Sequence, residues 1–260
     1  MGVVNVTPDS FFDGGLYASS ESAICHALRL REEGADMLDI GGESTRPGGD
    51  PVNAAEELRR IIPVVQALAS RDIPVSVDTS KPEVMCAAIR AGAVMINDVN
   101  ALQAPGALEA VAAGNVAACL MHMQGEPRSM QINPQYGDVV AEVKDFLQRR
   151  LDAAQAAGIS LQRLVIDPGF GFGKTLEHNL ELLRHLDRFV DMDVPVLAGL
   201  SRKSMLGKIT GNEVGERIHA SVAAALLAAA RGASILRVHD VKATRDALAV
   251  YNALETVTCK

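Results

Sequence analysis

Short, largely apolar runs alternate with longer amphipathic stretches along this chain. The apolar runs are Gly2–Val6, Met37–Ile40, Val75–Val77, Val94–Ile96, Val116–Leu120, Leu164–Ile166, Val196–Ala198 and Ile235–Val238. Runs this short, apolar on both alternating positions, fit strands covered on both faces, as in a parallel sheet. Helical spacing fills the intervals: residues 20–33, 53–69, 82–91, 105–113, 138–157, 176–188, 213–231 and 241–256. Pro82 stands where a first helical turn tolerates proline. Gly34, Gly92, Gly114, Gly158 and Gly232 follow helical stretches as helix-ending glycines do, each just ahead of a predicted strand.

Eight strand–helix units in sequence, roughly 32 residues each, predict an α/β fold: a (β/α)8 TIM barrel in one domain over residues 1–260. A doubly wound sheet accommodates eight evenly spaced strands less well. The first strand starts almost at residue 1, and a short segment that would close the barrel's bottom is expected to be missing ahead of it.

Composition narrows the function. The chain has 260 residues, 48% hydrophobic and 22% charged, which excludes disorder. Its 25 basic and 32 acidic side chains give a net charge of −7 with no basic block, which argues against a nucleic-acid partner. Cys25, Cys86, Cys119 and Cys259 show no zinc spacing, and the first three lie in apolar segments where a free cysteine is usually a small core residue. A reducing, cytoplasmic location is expected. The alanine-rich stretch around 220–230, flanked by Arg217 and Arg231, reads as a buried helix and not a membrane span.

In a barrel, chemistry gathers at the C-terminal strand ends. Here they carry Asn5, residues 41–46, Asp78, Asn97–Asp98, His122, Asp167, Ser201–Lys203, Arg237 and His239. The aspartates can accept from a planar pair of N–H groups. Arg46, Lys203, Arg237 and His239 can hold an anion. A polar heterocycle bearing phosphate suits such a site. The loops Thr7–Gly15 and Ser44–Gly49 read as lids. Gly169–Thr175 resembles a P-loop, but Pro168 occupies the first glycine position, so its glycines are expected to let backbone approach a flat ligand beside Asp167. His122 is open between a wall position and catalysis, and no His/Cys cluster predicts zinc.

Seven segments, in order, closely resemble the bacterial dihydropteroate synthases, a family of pterin-binding enzymes. They are Asn5–Phe11, Gly41–Gly48, Ser76–Thr79, Ile96–Asp98, Asp167–Lys174, Ser201–Ser204 and Arg237–Asp240. The resemblance implies a TIM barrel that condenses 6-hydroxymethyl-7,8-dihydropterin pyrophosphate with p-aminobenzoate, assisted by Mg2+. It implies a homodimer and a target of sulfonamides. It places the pterin on Asp78, Asn97, Asp167 and Lys203, with Met121, Phe172 and Gly199 around it. Pyrophosphate falls to Asn5, Arg46, Arg237 and His239, with Asn5 also near the metal. p-Aminobenzoate falls to Phe11, Thr45, Arg46, Pro47, Lys203 and Ser204. Asp13, Arg46 and Lys203 would be catalytic, Asp13 steadying a cationic intermediate. The alternatives are a pterin barrel that passes a methyl group from a folate to a corrinoid protein, and a non-catalytic pterin-binding paralogue. Ser201–Ser204, Arg237 with His239, and the Thr7–Gly15 loop favour the synthase.

Overall fold

The computed structural model describes residues 1–6, 15–43, 52–125 and 130–256, apart from the side chains of 15–19. The elements run β1 (Gly2–Asn5), α1 (Gly15–Glu32), β2 (Leu38–Gly41), α2 (Ala54–Ala69), β3 (Val75–Asp78), α3 (Pro82–Arg90), β4 (Met95–Asp98) and α4 (Ala107–Ala113). They continue as β5 (Ala117–Met121), α5 (Val139–Ala156), β6 (Leu164–Asp167), α6 (Leu176–Arg184), α7 (Asp187–Val190) and β7 (Leu197–Ala198). The last are α8 (Ser204–Thr210), α9 (Ile218–Ala230), β8 (Ile235–Leu236) and α10 (Val241–Glu255).

Strands β1 to β6 form one parallel ladder in sequence order, and β7 pairs with β8. Parallel bridges from Ile166 to Val196 and from Gly2 to Val238 join the two ladders into a closed ring. The Val3 N–H donates to the Val238 carbonyl at 3.0 Å across one seam, and the Ile166 N–H to the Pro195 carbonyl at 3.0 Å across the other. This is the predicted (β/α)8 barrel, with every predicted strand in place.

The helices differ more from expectation. The first begins at residue 15, not 20. The stretch 176–188 breaks at His185, whose backbone leaves helical geometry, and yields α6 and the single turn α7. The stretch 213–231 becomes a 3-10 turn, Val214–Glu216, followed by α9. Helix α8, Ser204–Thr210, was not expected. The Arg217 guanidinium lies over its Gly207, where a Cβ would displace the arginine's end.

Alternation along each strand sorts the side chains into two environments. Outward residues such as Val4, Leu38, Ile40, Val77, Ile96, Leu120, Ile166 and Val196 merge with helix residues, including Ile61, Leu68, Met85, Leu147 and Ala228, into the main core. Inward residues form a second, smaller cluster of Met95, Cys119, Val165 and Leu197, with Met1, Met37, Ala117 and Ile235 packed against it. These side chains plug the lower half of the barrel. Asp39 and Ser76 are buried polar residues level with Met95 in the register, and Asn97 and Asp167, one layer further up, are buried as well. Of the three cysteines expected in the core, Cys119 is buried, Cys86 half-buried and Cys25 exposed on α1; Cys259 lies outside the described residues.

Candidate active site

The register carries the upper polar layer around the ring. Asn5 pairs with Gly41, Gly41 with Asp78, and Asp78 with Asn97. A Cβ on Gly41 would stand 3.8 Å from Asn5 Oδ1 and 3.9 Å from Asp78 Oδ2, so this glycine leaves space between two oxygen acceptors at the rim. Arg237 reaches in from the end of β8. Its Nε donates to Asp39 Oδ2 at 2.6 Å and its Nη2 to Asp78 Oδ2 at 2.8 Å. Asn97 Nδ2 donates to the same Asp39 oxygen at 3.1 Å. Burial pushes the Asp78 carboxyl well above the usual carboxylate range, with the Arg237 guanidinium pulling against it. Burial works against the Arg237 charge, but Asp39 and Asp78 outweigh it, and the net shift is upward.

A second acid–base pair faces this one across the barrel. Asp167, ending β6, is 4% exposed and takes the Gly169 N–H on Oδ1 at 2.7 Å. Burial raises its pKa, opposed first by Lys203. Lys203 lies half-buried just before α8; its Nζ donates to the Phe170 carbonyl and sits 4.7 Å from the centroid of the Phe172 ring. Burial pushes the Lys203 ammonium down to about 8. A Cβ on Gly199 would lie 3.8 Å from Lys203 Nζ and 3.9 Å from both Asp167 Oδ2 and Arg237 Cβ. Gly199 thus keeps open the gap among all three. Met121 is the strand partner of Asp167 and is buried. The predicted pterin residues Asp78, Asn97, Asp167, Lys203, Met121, Phe172 and Gly199 therefore share one well.

Two glycines of the β6–α6 loop are also required by a close approach of the protein's own backbone, while a Cβ on the third, Gly171, would lie 3.2 Å from Lys203 Cδ. A Cβ on Gly169 would lie 1.8 Å from the His122 carbonyl oxygen, and one on Gly173 would lie 2.5 Å from the Gln124 carbonyl oxygen. At these two positions the close approach is to the chain after β5. Lys174 locks that contact. Its buried Nζ donates to the carbonyls of Gly169 and Phe172, each at 2.9 Å, and lies 2.9 Å from His122 Nδ1. Burial, reinforced by the Lys174 charge, lowers the His122 pKa to about 3. A neutral His122 under this lysine, 4.9 Å from the Phe146 ring, is a wall residue.

His239 sits at the rim with its Nδ1 3.0 Å from Ser201 Oγ. Arg202, with a left-handed φ of 60°, grips Asp240 through Nε at 3.0 Å and Nη2 at 2.5 Å. That clamp ties the loop after β7 to the start of α10, and so Lys203 and Ser204 to Arg237 and His239. Ser204 is exposed at the start of α8. Phe11, Asp13, Thr45, Arg46 and Pro47 lie outside the described residues, as do most of the two predicted lid loops. Glu43, the last described residue before 44–51, accepts the Val52 N–H at 3.2 Å and pairs with Lys81, which also holds the buried Glu57 at 2.6 Å.

Sequence reasoning missed Asp39, placed Ser201 at a strand end without its contact to His239, and gave Lys174 no role of its own. Asp39 had a readable signal: a carboxylate inside an apolar strand must find partners.

The family described as "Pterin binding enzyme" matches residues 1–239. The dihydropteroate synthase of Neisseria meningitidis serogroup C is 52% identical over 259 residues, spanning 98% of this chain and 92% of that protein. Among solved structures, Xanthomonas albilineans dihydropteroate synthase with 4-aminobenzoic acid superposes with a TM-score of 0.95 at 59% identity, covering 99% of this chain and 93% of the other. The same enzyme in complex with 7,8-dihydropteroate gives 0.91 at 56%, covering 99% and 94%. The Yersinia pestis enzyme with a sulfonamide drug complex gives 0.94 at 49%, again covering 99% and 94%. The barrel and its polar well place the chain in the class of pterin-binding enzymes, and at this identity over nearly full length it belongs to the dihydropteroate synthase family.

Proposed function

We infer that this enzyme condenses 6-hydroxymethyl-7,8-dihydropterin pyrophosphate with p-aminobenzoate, giving 7,8-dihydropteroate and pyrophosphate in folate synthesis. One observation carries the reading from the residues: two buried carboxylates, Asp78 and Asp167, each set beside a cation, Arg237 and Lys203, around the space that Gly199 leaves open. A pterin presents N–H donors beside lone-pair acceptors along its edges. Carboxylates accept from the donors, as does the amide oxygen of Asn97, whose NH2 is turned to Asp39, and Lys203 meets a lone-pair acceptor. Met121 and Phe172 give the flat ring apolar cover.

Arg237 and His239 come from the end of β8, next to Asn5 on β1, and these residues with Arg46 are our assignment for the pyrophosphate. The Asn5 amide oxygen beside Gly41 is a hard donor of the kind Mg2+ accepts. Among the described residues no group of three His, Cys, Asp or Glu side chains could hold a metal. A cation that takes most ligands from water and substrate phosphates fits that donor set. Asn5 would hold Mg2+, which when bound offsets phosphate charge.

In our reading the carbon–oxygen bond at the pterin methylene breaks first, and its electron pair leaves with pyrophosphate. Arg237, Arg46 and His239 stabilise that leaving charge. The dihydropterin shares the positive charge, steadied by Asp13. The amine nitrogen of p-aminobenzoate then donates its lone pair to the methylene and loses a proton. Phe11, Thr45, Arg46, Pro47, Lys203 and Ser204 orient it, and a weakly basic amine needs orientation more than deprotonation.

We further propose a homodimer. The support is an apolar outer face on α9 and α10, where Leu227, Val250 and Leu254 are 48%, 73% and 70% exposed. Sulfonamides, which mimic p-aminobenzoate, are expected to compete with it. A cytoplasmic location agrees with the free cysteines; among the described residues no helix is long and apolar enough to cross a membrane.

The deciding experiment measures pyrophosphate release with dihydropterin pyrophosphate and Mg2+, with and without p-aminobenzoate, while dihydropteroate is followed in parallel. Release that requires p-aminobenzoate and matches dihydropteroate mole for mole supports the reading. Tight pterin binding without release overturns it.

A further inference from the structure

Asp39 stands one layer below the residues assigned to substrate. It is fully buried in β2, its register partner on β3 is Ser76, and it has no route to the rim of its own. A lone carboxylate so placed carries a heavy desolvation cost unless it is paired. Its pairing is lopsided. Oδ2 accepts both Arg237 Nε at 2.6 Å and Asn97 Nδ2 at 3.1 Å, while Oδ1 has no hydrogen-bond partner among the described residues. Among the described residues the hydrogen bonds to the Asp39 carboxylate come from two site residues alone.

Both contacts fix an orientation. Arg237 is gripped at Nε by Asp39 and at Nη2 by Asp78. Two anchors on one planar guanidinium fix its plane, and they leave the N–H groups of Nη1 for a ligand. For Asn97, a carboxylate is acceptor-only, so the amide must turn its NH2 toward Asp39. The carbonyl oxygen is then set as an acceptor for an N–H of the heterocycle. A freely flipping amide would present either face. We propose that Asp39 is a positioning residue for the pterin half of the reaction, orienting the Arg237 guanidinium and the Asn97 amide from beneath. This rests on the substrate reading above and deepens it.

The test is Asp39→Asn, which keeps the shape but removes the negative charge that strengthens both bonds to Oδ2 and puts an NH2 group where Oδ1 has no partner. Steady-state kinetics would vary each substrate in turn, and melting curves would check the fold. A positioning role predicts that KM for dihydropterin pyrophosphate rises at least tenfold while KM for p-aminobenzoate stays within about threefold. The 15N-labelled unaltered enzyme supplies a second readout that does not depend on the variant folding. Its Arg237 Nε–H should give a downfield resonance protected from solvent exchange, assigned by its loss in Arg237→Lys. In a folded Asp39→Asn protein that resonance should move upfield and exchange faster. Unchanged KM values, equal changes for both substrates, or a rapidly exchanging Arg237 Nε–H in the unaltered enzyme would each overturn the proposal. If the unaltered protein forms no dihydropteroate, the substrate reading fails, and the resonance still decides whether Asp39 holds Arg237.

Discussion

Replacing Asp167 by asparagine separates what the well does for substrate from what it costs the fold. Oδ1 of Asp167 takes the Gly169 N–H at 2.7 Å, while Oδ2 borders the gap at Gly199. Asparagine can leave its carbonyl on Gly169, and it then presents an NH2 where an acceptor stood. One charge-assisted hydrogen bond is worth about 1.5–3 kcal/mol, and an unpaired buried donor adds about 1–3 kcal/mol. A combined loss of about 3–4 kcal/mol corresponds to roughly 10²–10³ in kcat/KM for dihydropterin pyrophosphate. Stability should move the other way. Burial raises the Asp167 pKa, so the folded protein binds this proton more tightly than the unfolded chain. The stability this group contributes falls as pH rises from its unfolded pKa through its folded one, and at neutral pH the charged form is a burden. The melting temperature of Asp167→Asn should be unchanged or higher. A further consequence falls on Lys203. Burial has already pushed that ammonium down to about 8, and Asp167 is the first influence opposing the fall. In the variant the alkaline limb of the rate profile should therefore move to lower pH. Steady-state kinetics across pH, paired with calorimetric melting, tests all three statements. A loss below fivefold, or a lowered melting temperature with equal losses for both substrates, would refute the reasoning.

In the unaltered enzyme, kcat/KM should decline above about pH 8 as Lys203 loses its proton, and Lys203→Arg should carry that limb upward in whatever activity remains; a flat profile to pH 10 argues against a charged Lys203. Gly199→Ala meets its neighbours only at 3.8–3.9 Å, so it should fold normally. Its methyl fills the pterin gap, and isothermal titration should show affinity for dihydropterin pyrophosphate reduced at least tenfold. Lys174→Met strands the carbonyls of Gly169 and Phe172 beneath the β6–α6 loop. Relief from burying the ammonium offsets part of that, and urea unfolding should register a net loss of about 2–4 kcal/mol.

The barrel was legible because its local rules repeat. Strand period, helix period and the glycines between them recur eight times, and the polar residue ending each strand needs only the rule that parallel strand ends share a rim. Asp78, Asn97, Asp167, Lys203, Arg237 and His239 were found that way. Asp39 escaped because it sits within a strand, and its meaning depends on Arg237, 198 positions later. The approach of Gly169 and Gly173 to the backbone of His122 and Gln124 escaped for the same reason, since sequence spacing does not bring them near.

By itself, then, the sequence determined where strands and helices alternate and which polar residues end at the rim, since periodicity and chain punctuation are properties of neighbours. Only the tertiary structure decided how the ring closes through the two-residue strands β7 and β8. It alone showed that one buried carboxylate serves both an arginine and an asparagine. Those facts depend on distances across the barrel, and such distances exist only once eight separate strands have found one register.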